Sequence, residues 1–578
     1  MADLSAKSPY ADVKASKLLK RIWSFVRPDA GDIWAVTGFA IAVGVLALAV
    51  PVAAQVLFNY ISFGISTQPV VVLGVTLAVA LAISAILRIM MYIVVEIVQR
   101  RVFVRVLRDL GDKLPRTTSD AFGRVGGAEF VNRFFDVLTV QKVGSVLLLD
   151  GIAAFLQTVI GLVILWFYHP LLLGFSLLLL ALSAFILVVM ARGAVPSAVA
   201  ESSAKYDAVA SLEEIVQQRG TYRHDGGPSL ARSKSDAFAR KYVDARRSHF
   251  RVVIRQLTGA FSLQVVAASS LLVLGGYLVI GQQLSLGQLV ASELIVTTAL
   301  GSFLKIAGKM KDIYDLLAGV HKLSSLSDLP RERESGDELT HRGDAASLAV
   351  RDITFAYAGS RPLFSGLRLE VAAGERLGVV GATGSGKSTL ADLVSAGRSP
   401  SAGRIELDGV DLRELSIESV REHAVVLSRP ELVAGTIQDN VLLGRPGLTA
   451  DDCRSAMTAV GLLERVRALP DGLATRVARD AAPLSHGELH QLMIARAIAG
   501  GSRLLIAKGV FDEVDPRVRE TIARALRQSG CTVIAMVRDA SHLPRGLVSR
   551  VVAIDPTTGS MVDVSGAGFG NDDMEALG

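Results

Sequence analysis

No Asp, Glu, Lys or Arg occurs between Ile33 and Leu87. A charge-free run of this length exceeds twice the roughly 20 apolar residues that carry a helix across the hydrocarbon core of a bilayer. It breaks at Ser66-Thr67-Gln68-Pro69, which predicts two spans joined by a short turn. Val143 to Ala191 repeats the pattern with one acid, Asp150, and a turn at His169-Pro170. Gln256 to Leu304 repeats it again with one acid, Glu293, and a turn near Gly281-Gln282-Gln283. Three hairpins, hence six spans, are expected. The chain is 51% hydrophobic and 20% charged, and the apolar excess sits in its first half.

The formal charge of +6 raises the question of where the basic residues lie. The three short turns carry none. The two long segments between hairpins, 88–142 and 192–255, carry many, among them Arg101, Arg105, Arg108, Lys234, Lys241 and Arg246. The positive-inside rule therefore places both segments and both termini in the cytoplasm. The charge reports membrane topology and partnership with a lipid bilayer; no nucleic-acid partner is expected. Cys453 and Cys531 have no paired spacing and read as free thiols in a reducing compartment. Met1 to Lys17 lacks the apolar stretch of a cleaved leader. A multi-pass protein of a bacterial cytoplasmic (inner) membrane is the expectation.

The two cytoplasmic segments are rich in helix formers with apolar residues at helical spacing, such as Val102, Val106 and Leu110. Each is expected to form two helical arms of about 20 residues, reaching roughly 30 Å beyond the membrane. Leu19 to Phe25 reads as a short amphipathic helix at the interface. Asp150 and Glu293, the acids in or near spans, are the candidate substrate contacts.

After Lys322 the chain turns polar, and from about Leu348 short apolar strands alternate with helices. The fold class expected is an all-α six-helix membrane domain (1–322), a linker (323–346), an α/β P-loop domain (347–565) and a disordered tail (566–578). Gly381-Ala382-Thr383-Gly384-Ser385-Gly386-Lys387-Ser388 matches G-x-x-x-x-G-K-[ST] between an apolar strand and a helix that opens Lys387-Ser388-Thr389. Its glycines let backbone N–H groups wrap phosphates, the helix dipole adds to that field, Lys387 reaches the outer phosphates and Ser388 can ligate Mg²⁺.

With this loop in place the second half resembles the nucleotide-binding domain of ABC transporters, and the six spans resemble their exporter half-transporters. The resemblance covers nearly the whole chain and implies ATP as cofactor. Tyr357 matches the aromatic that stacks on adenine in that family. Leu484-Ser485-His486-Gly487-Glu488 stands where the family has LSGGQ, and Val433 to Asn440 matches the segment after the Q-loop, in a groove that receives the arms. Two such domains sandwich ATP between one chain's P-loop and the other's signature, so Ser485, His486, Gly487 and Glu488 would serve a partner's site.

The departures from the family are concentrated in one place. Ser428 replaces the Q-loop glutamine. An ungapped count from the signature puts Lys508 at the Walker B aspartate and Gly509 at the catalytic glutamate, and keeps the D-loop aspartate as Asp515. The histidine switch falls at or near Arg538. Hydrolysis needs Mg²⁺ and a carboxylate that orients water. The chain is therefore expected to bind ATP, with a weak Mg²⁺ contribution from Ser388, and not to hydrolyse it, so no catalytic residue is expected. A competing alignment makes Asp512-Glu513 the Walker B pair after a four-residue insertion. The leading expectation is a subunit that exports an unidentified substrate beside a competent half-transporter. An active homodimeric exporter and a non-transporting nucleotide sensor or scaffold are the alternatives.

Overall fold

In a computed structural model the described residues are 15–62, 68–118, 132–340, 343–357, 359–477, 482–555 and 560–564. The expected tail, 566–578, lies outside them. The chain divides into two compact units between Pro330 and Arg331, inside the segment read as linker.

The first unit is helical. Among the described residues, six helical stretches are long and apolar enough to cross a membrane. A short helix α1 (Ala15–Val26) precedes α2 (Ala30–Leu46) and α3 (Ala49–Ser62), which together make the first stretch. The second stretch is α4 (Gln68–Lys113), whose length at 1.5 Å per residue is about 70 Å, far beyond a bilayer core. Span and arm are thus one continuous helix. The next stretch joins α5 (Asp136–Val146) and α6 (Ile152–Trp166) through a π-helical turn, Leu147–Gly151, which carries Asp150 on its exposed side. Then follow α7 (Pro170–Val188), α8 (Ala194–Gln217), α9 (Gly227–Ile280) and α10 (Leu286–Ser327). Gly193, at φ +85°, separates α7 from α8, so here span and arm are distinct helices.

Packing explains the order. α10 touches α3, α5, α6, α8 and α9 and forms the centre of the unit. Its Ile295, Val296, Leu300 and Phe303 are buried with Leu162 and Leu165 of α6 and Leu271 of α9. The long flanks of α4 and α9 stay apolar and exposed, as a lipid-facing surface requires. The arms α8 and α9 run antiparallel and are joined by Glu201–Arg246, Asp207–Lys241 and Glu214–Lys234 pairs at 2.6 to 2.8 Å. Basic residues read from sequence as topology markers therefore also hold the arms in register. Of the three acids Glu201 is buried, so its pair is the least screened by solvent, while the other two pairs lie open to it. Arg105 and Arg101 do comparable service on α4, reaching the buried Asp29 before α2 at 2.9 and 3.7 Å. The interfacial helix α1 lies on α10, where its Ile22 packs with Val143 and Val320 and Arg21 pairs with Asp328 at 2.7 Å. Glu293 is half-buried on α10.

The described residues of the second unit hold twelve strands in chain order: β1 (Leu348–Ala356), β2 (Pro362–Val371), β3 (Arg376–Val380), β4 (Ala402–Leu407), β5 (Val410–Asp411), β6 (Ala424–Leu427), β7 (Gly435–Thr436), β8 (Arg476–Val477), β9 (Leu504–Lys508), β10 (Thr532–Val537), β11 (Arg550–Ile554) and β12 (Met561–Asp563). β2, β1, β4 and β5 form an antiparallel sheet, and β7 pairs with β8. The main sheet runs β12-β11-β3-β10-β9-β6, with every neighbour parallel except β12. Its central strands read as unbroken apolar runs, Thr532 to Val537 being buried throughout, because helices cover both faces of a parallel sheet. Buried Arg503, just before β9, pairs with Asp408 at 2.8 Å and donates to the carbonyls of Gly343 and Ala345. That ties the leading segment of the unit to its sheet.

Candidate functional site

In a parallel α/β sheet, ligands bind beyond the carboxyl ends of the strands. Four positions singled out in the sequence lie at such ends: Gly381 after β3, Ser428 after β6, Lys508 at the end of β9 and Arg538 after β10. Parallel registry puts Val380 beside Val537 and Met536 beside Lys508. Lys508 thus stands two strands from the P-loop strand, about 10 Å at ordinary strand spacing.

The P-loop is built by backbone that only glycine tolerates. Gly384 and Gly386 have φ of +91° and +99°. A Cβ at Gly386 would also meet the Phe364 ring at 2.7 Å. Helix α11 (Lys387–Val394) starts at Lys387, with Ser385 and Thr389 buried at its base. Lys387 folds over its own loop, donating to the carbonyl of Gly381, to that of Ala382 at 2.9 Å and to Ser385 Oγ at 3.3 Å. Burial lowers the Lys387 pKa, the nearby Asp512 carboxylate opposes that shift, and Arg538 adds to it. Tyr357 shares a 2.8 Å hydrogen bond with Thr389 Oγ1, which fixes its ring at the edge of the loop. Arg398 lies 5.1 Å from the centre of that ring. The loop, Lys387 and Tyr357 fit a nucleotide.

The far side of the site has a different character. Lys508 is half-buried where the strand ends. Gly509 follows at φ +71°, donating its N–H to Met536 O at 2.8 Å. Asp512 and Glu513 are not at the strand end; they sit one turn further, on α13 (Val510–Glu513). Asp512 nevertheless faces the site. It accepts from the Arg538 N–H at 3.2 Å and pairs with His542 Nδ1 at 2.7 Å. His542 is a residue the sequence reading missed, since it lies beyond the strand-end position where a histidine was sought. Ser388 on α11 and Ser428 after β6 offer hydroxyls and Lys508 at the end of β9 an amine, a poor donor set for a hard divalent ion.

The signature segment opens α12 (His486–Ala499). Ser485 caps it reciprocally with Glu488: the Glu488 carboxylate accepts from Ser485 N at 2.7 Å, and Ser485 Oγ accepts from Glu488 N at 3.4 Å. That Ser-x-x-Glu box gives Glu488 a local capping role that the family's glutamine would fill equally well. Gly487 has open space around its Cα. His486 and His490 both contact Glu513. Hydrogen bonds from the two imidazoles hold the Glu513 carboxyl below its ordinary pKa, and burial lowers that of His490. Asp515 is exposed at the start of α14 (Pro516–Gln528).

This arrangement defines a P-loop nucleotide-binding unit joined to a six-helix membrane unit. Residues 364–512 match the family described as ABC transporter. Across 95% of both chains the fold superposes on a bacterial Atm1-family ABC exporter solved with ATP bound, at TM-score 0.80 and 20% identity. Residues 364–512 thus carry the match to the ABC-transporter family, a domain that implies ATP as its nucleotide, and the chain as a whole has a six-helix unit followed by an α/β unit in the fold seen in an Atm1-family exporter.

Among curated proteins it is similar to a multidrug efflux ATP-binding/permease protein of Mycobacterium tuberculosis, 28% identical over 62% of this chain and 29% of that one. The matched part is thus under a third of that relative's length. It is also similar to a fatty acid ABC transporter ATP-binding/permease protein of Mycobacterium bovis, 28% identical over 77% of this chain and 72% of the relative. An ATP-dependent lipid A-core flippase of Thiobacillus denitrificans is 34% identical over 38% of each.

Proposed function

We propose that this chain is one subunit of an ATP-driven exporter in a bacterial cytoplasmic membrane, with a nucleotide site of its own that binds ATP and does not hydrolyse it. The observation that carries this reading is Lys508 at the carboxyl end of β9, followed by Gly509. A cation there opposes the Mg²⁺ that phosphoryl transfer uses, and glycine offers no carboxylate to orient water. Ser428 and Arg538 weaken the same side of the site. Nucleotide is held by Gly384, Gly386, Lys387 and Tyr357, with Ser388 as the remaining Mg²⁺ ligand. Ser485, Gly487 and Asp515 are kept, which supports a chain that completes the site of a competent second half-transporter. The membrane orientation is the one drawn from the basic arms, with both termini in the cytoplasm. Efflux, fatty-acid transport and lipid A-core flipping are the activities named for the relatives, and an apolar or amphiphilic cargo is the class they suggest for this one. Asp150 and Glu293 are the candidate contacts for it.

One observation favours a second reading, an active homodimer. Asp512 faces Lys387 and Arg538 and brings an acid back to the site from the following turn. The two readings separate on photolabelling with an azido-ATP analogue beside isolation of the assembled transporter from native membranes. The heterodimer reading expects labelling that Lys387→Ala removes and a second half-transporter carrying Walker B acids in one-to-one ratio. A homodimer alone would overturn it.

A further inference from the structure

His486 and His490 are four residues apart on α12 and so share one face. Glu513 reaches that face from α13. Its Oε2 lies 2.8 Å from His486 Nε2 and 3.0 Å from His490 Nε2. The two rings stand at 88° with centres 5.0 Å apart, so their nitrogens converge from different directions. One donor atom from each of the three residues lies within 4.8 Å of the others. His490 is 1% exposed, and its Nδ1 is buried without a hydrogen-bond partner. His486 and Glu513 remain open to solvent. The cluster has a rigid inner ligand and an accessible mouth.

We propose that His486, His490 and Glu513 form a binding site for a divalent transition-metal ion of the zinc type. Two imidazoles and a carboxylate suit Zn²⁺, Cu²⁺ or Ni²⁺ and not Mg²⁺ or Ca²⁺, whose sites are built from oxygen. Zinc holds nitrogen and carboxylate oxygen at about 2.0–2.2 Å in a tetrahedron, which separates ligand atoms by roughly 3.3 Å. The observed 2.8 and 3.0 Å need to open by a few tenths of an ångström, and the separation of the two imidazole ligand atoms, within 4.8 Å, draws toward the same value when the exposed His486 ring moves in. The hydrogen now between each Nε2 and the carboxylate moves to Nδ1 or to water, and the freed lone pair binds the ion. Water fills the fourth position.

The bound ion would clamp the first turn of α12, which carries Ser485 and Gly487, to the turn that follows β9. Such a clamp bears on how the signature segment meets a nucleotide, and it does not depend on whether this chain hydrolyses ATP.

The test is titration of the full chain, untagged with histidine and reconstituted in lipid nanodiscs, with Co²⁺ as the spectroscopic probe and Zn²⁺ as competitor. The expected result is one Co²⁺ per chain, with visible absorption bands of low coordination number that Zn²⁺ abolishes. Glu513→Gln and His490→Gln should each weaken binding at least about tenfold, the lower bound for losing even a supporting partner of a metal ligand. Because His490 is buried, His486→Ala, at an exposed position, supplies a variant whose folding is not in question. Zn²⁺ should also raise the thermal midpoint of the second unit, and by less in the variants than in the wild-type chain at the same Zn²⁺ concentration. Substoichiometric uptake, or affinity unchanged in both His486→Ala and Glu513→Gln, would overturn the proposal.

Discussion

At the level of single residues, the account turns on what stands at the ends of β9 and β3. Lys387 already curls over its own loop, in contact with the backbone it would share with phosphate. Replacing it with alanine is expected to lower azido-ATP labelling at least about tenfold, the equivalent of roughly 1.4 kcal/mol, because charge-assisted hydrogen bonds contribute about that much or more. A labelling yield that stays the same would show that nucleotide is bound elsewhere. Lys508→Asp should make retention of nucleotide depend on Mg²⁺, read as the ratio of binding with Mg²⁺ to binding with EDTA; an unchanged ratio would remove the cation from the argument. That substitution alone is not expected to restore hydrolysis. Gly509 has φ +71°, a region that glutamate enters only with strain, so the turn itself would have to change.

Counting along the chain picked out Lys508, Gly509 and Ser428, and all three fall at or just after the carboxyl ends of β9 and β6, because strand ends keep their spacing from the signature segment. Counting could not find His542, and it reached Asp512 only through the competing alignment, without showing that this carboxylate turns toward Arg538 and His542. Their meeting depends on the α13 turn and on the loop after β10, which no local pattern announces.

At the level of elements, α12 and the two cysteines make measurable claims. The cap formed by Ser485 and Glu488 satisfies N–H groups at the helix start, so Ser485→Ala should destabilise the second unit by about 1 kcal/mol. Cys453 and Cys531 are both buried in that unit's core, and the sequence holds no others, so a thiol-reactive dye reports its unfolding selectively. Burial raises both thiol pKa values. The folded state therefore keeps its protons to higher pH than the unfolded state, and stability falls as pH rises above the unfolded thiol value of about 8.5. The labelling midpoint should be flat from pH 7 to 8 and drop above 9. A midpoint that rises with alkalinity would contradict the burial of these thiols.

The six apolar runs were legible in the sequence because a bilayer imposes length and hydrophobicity directly. The pairing of α8 with α9 was not, since Glu201, Asp207 and Glu214 meet Arg246, Lys241 and Lys234 only once both arms have turned back at Gln218 to Gly226.

For the whole molecule, the account assigns a side of the membrane to every segment. On a background with Cys453 and Cys531 replaced, Lys234→Cys in the arm should react with an impermeant maleimide only from the cytoplasmic face. Gln282→Cys in the short turn should react only from the opposite face. Labelling of both from one side would undo the six-span topology. The central claim, however, is that a chain with this fold binds ATP and leaves it intact. The measurement that bears on it most directly is steady-state ATPase activity of the full chain purified alone in lipid, beside Lys387→Ala. Phosphate release at background and equal in both proteins, with azido-ATP labelling retained by the wild type alone, is the predicted result. Turnover that Lys387→Ala abolishes would contradict the account and assign the chemistry to Asp512 and Glu513.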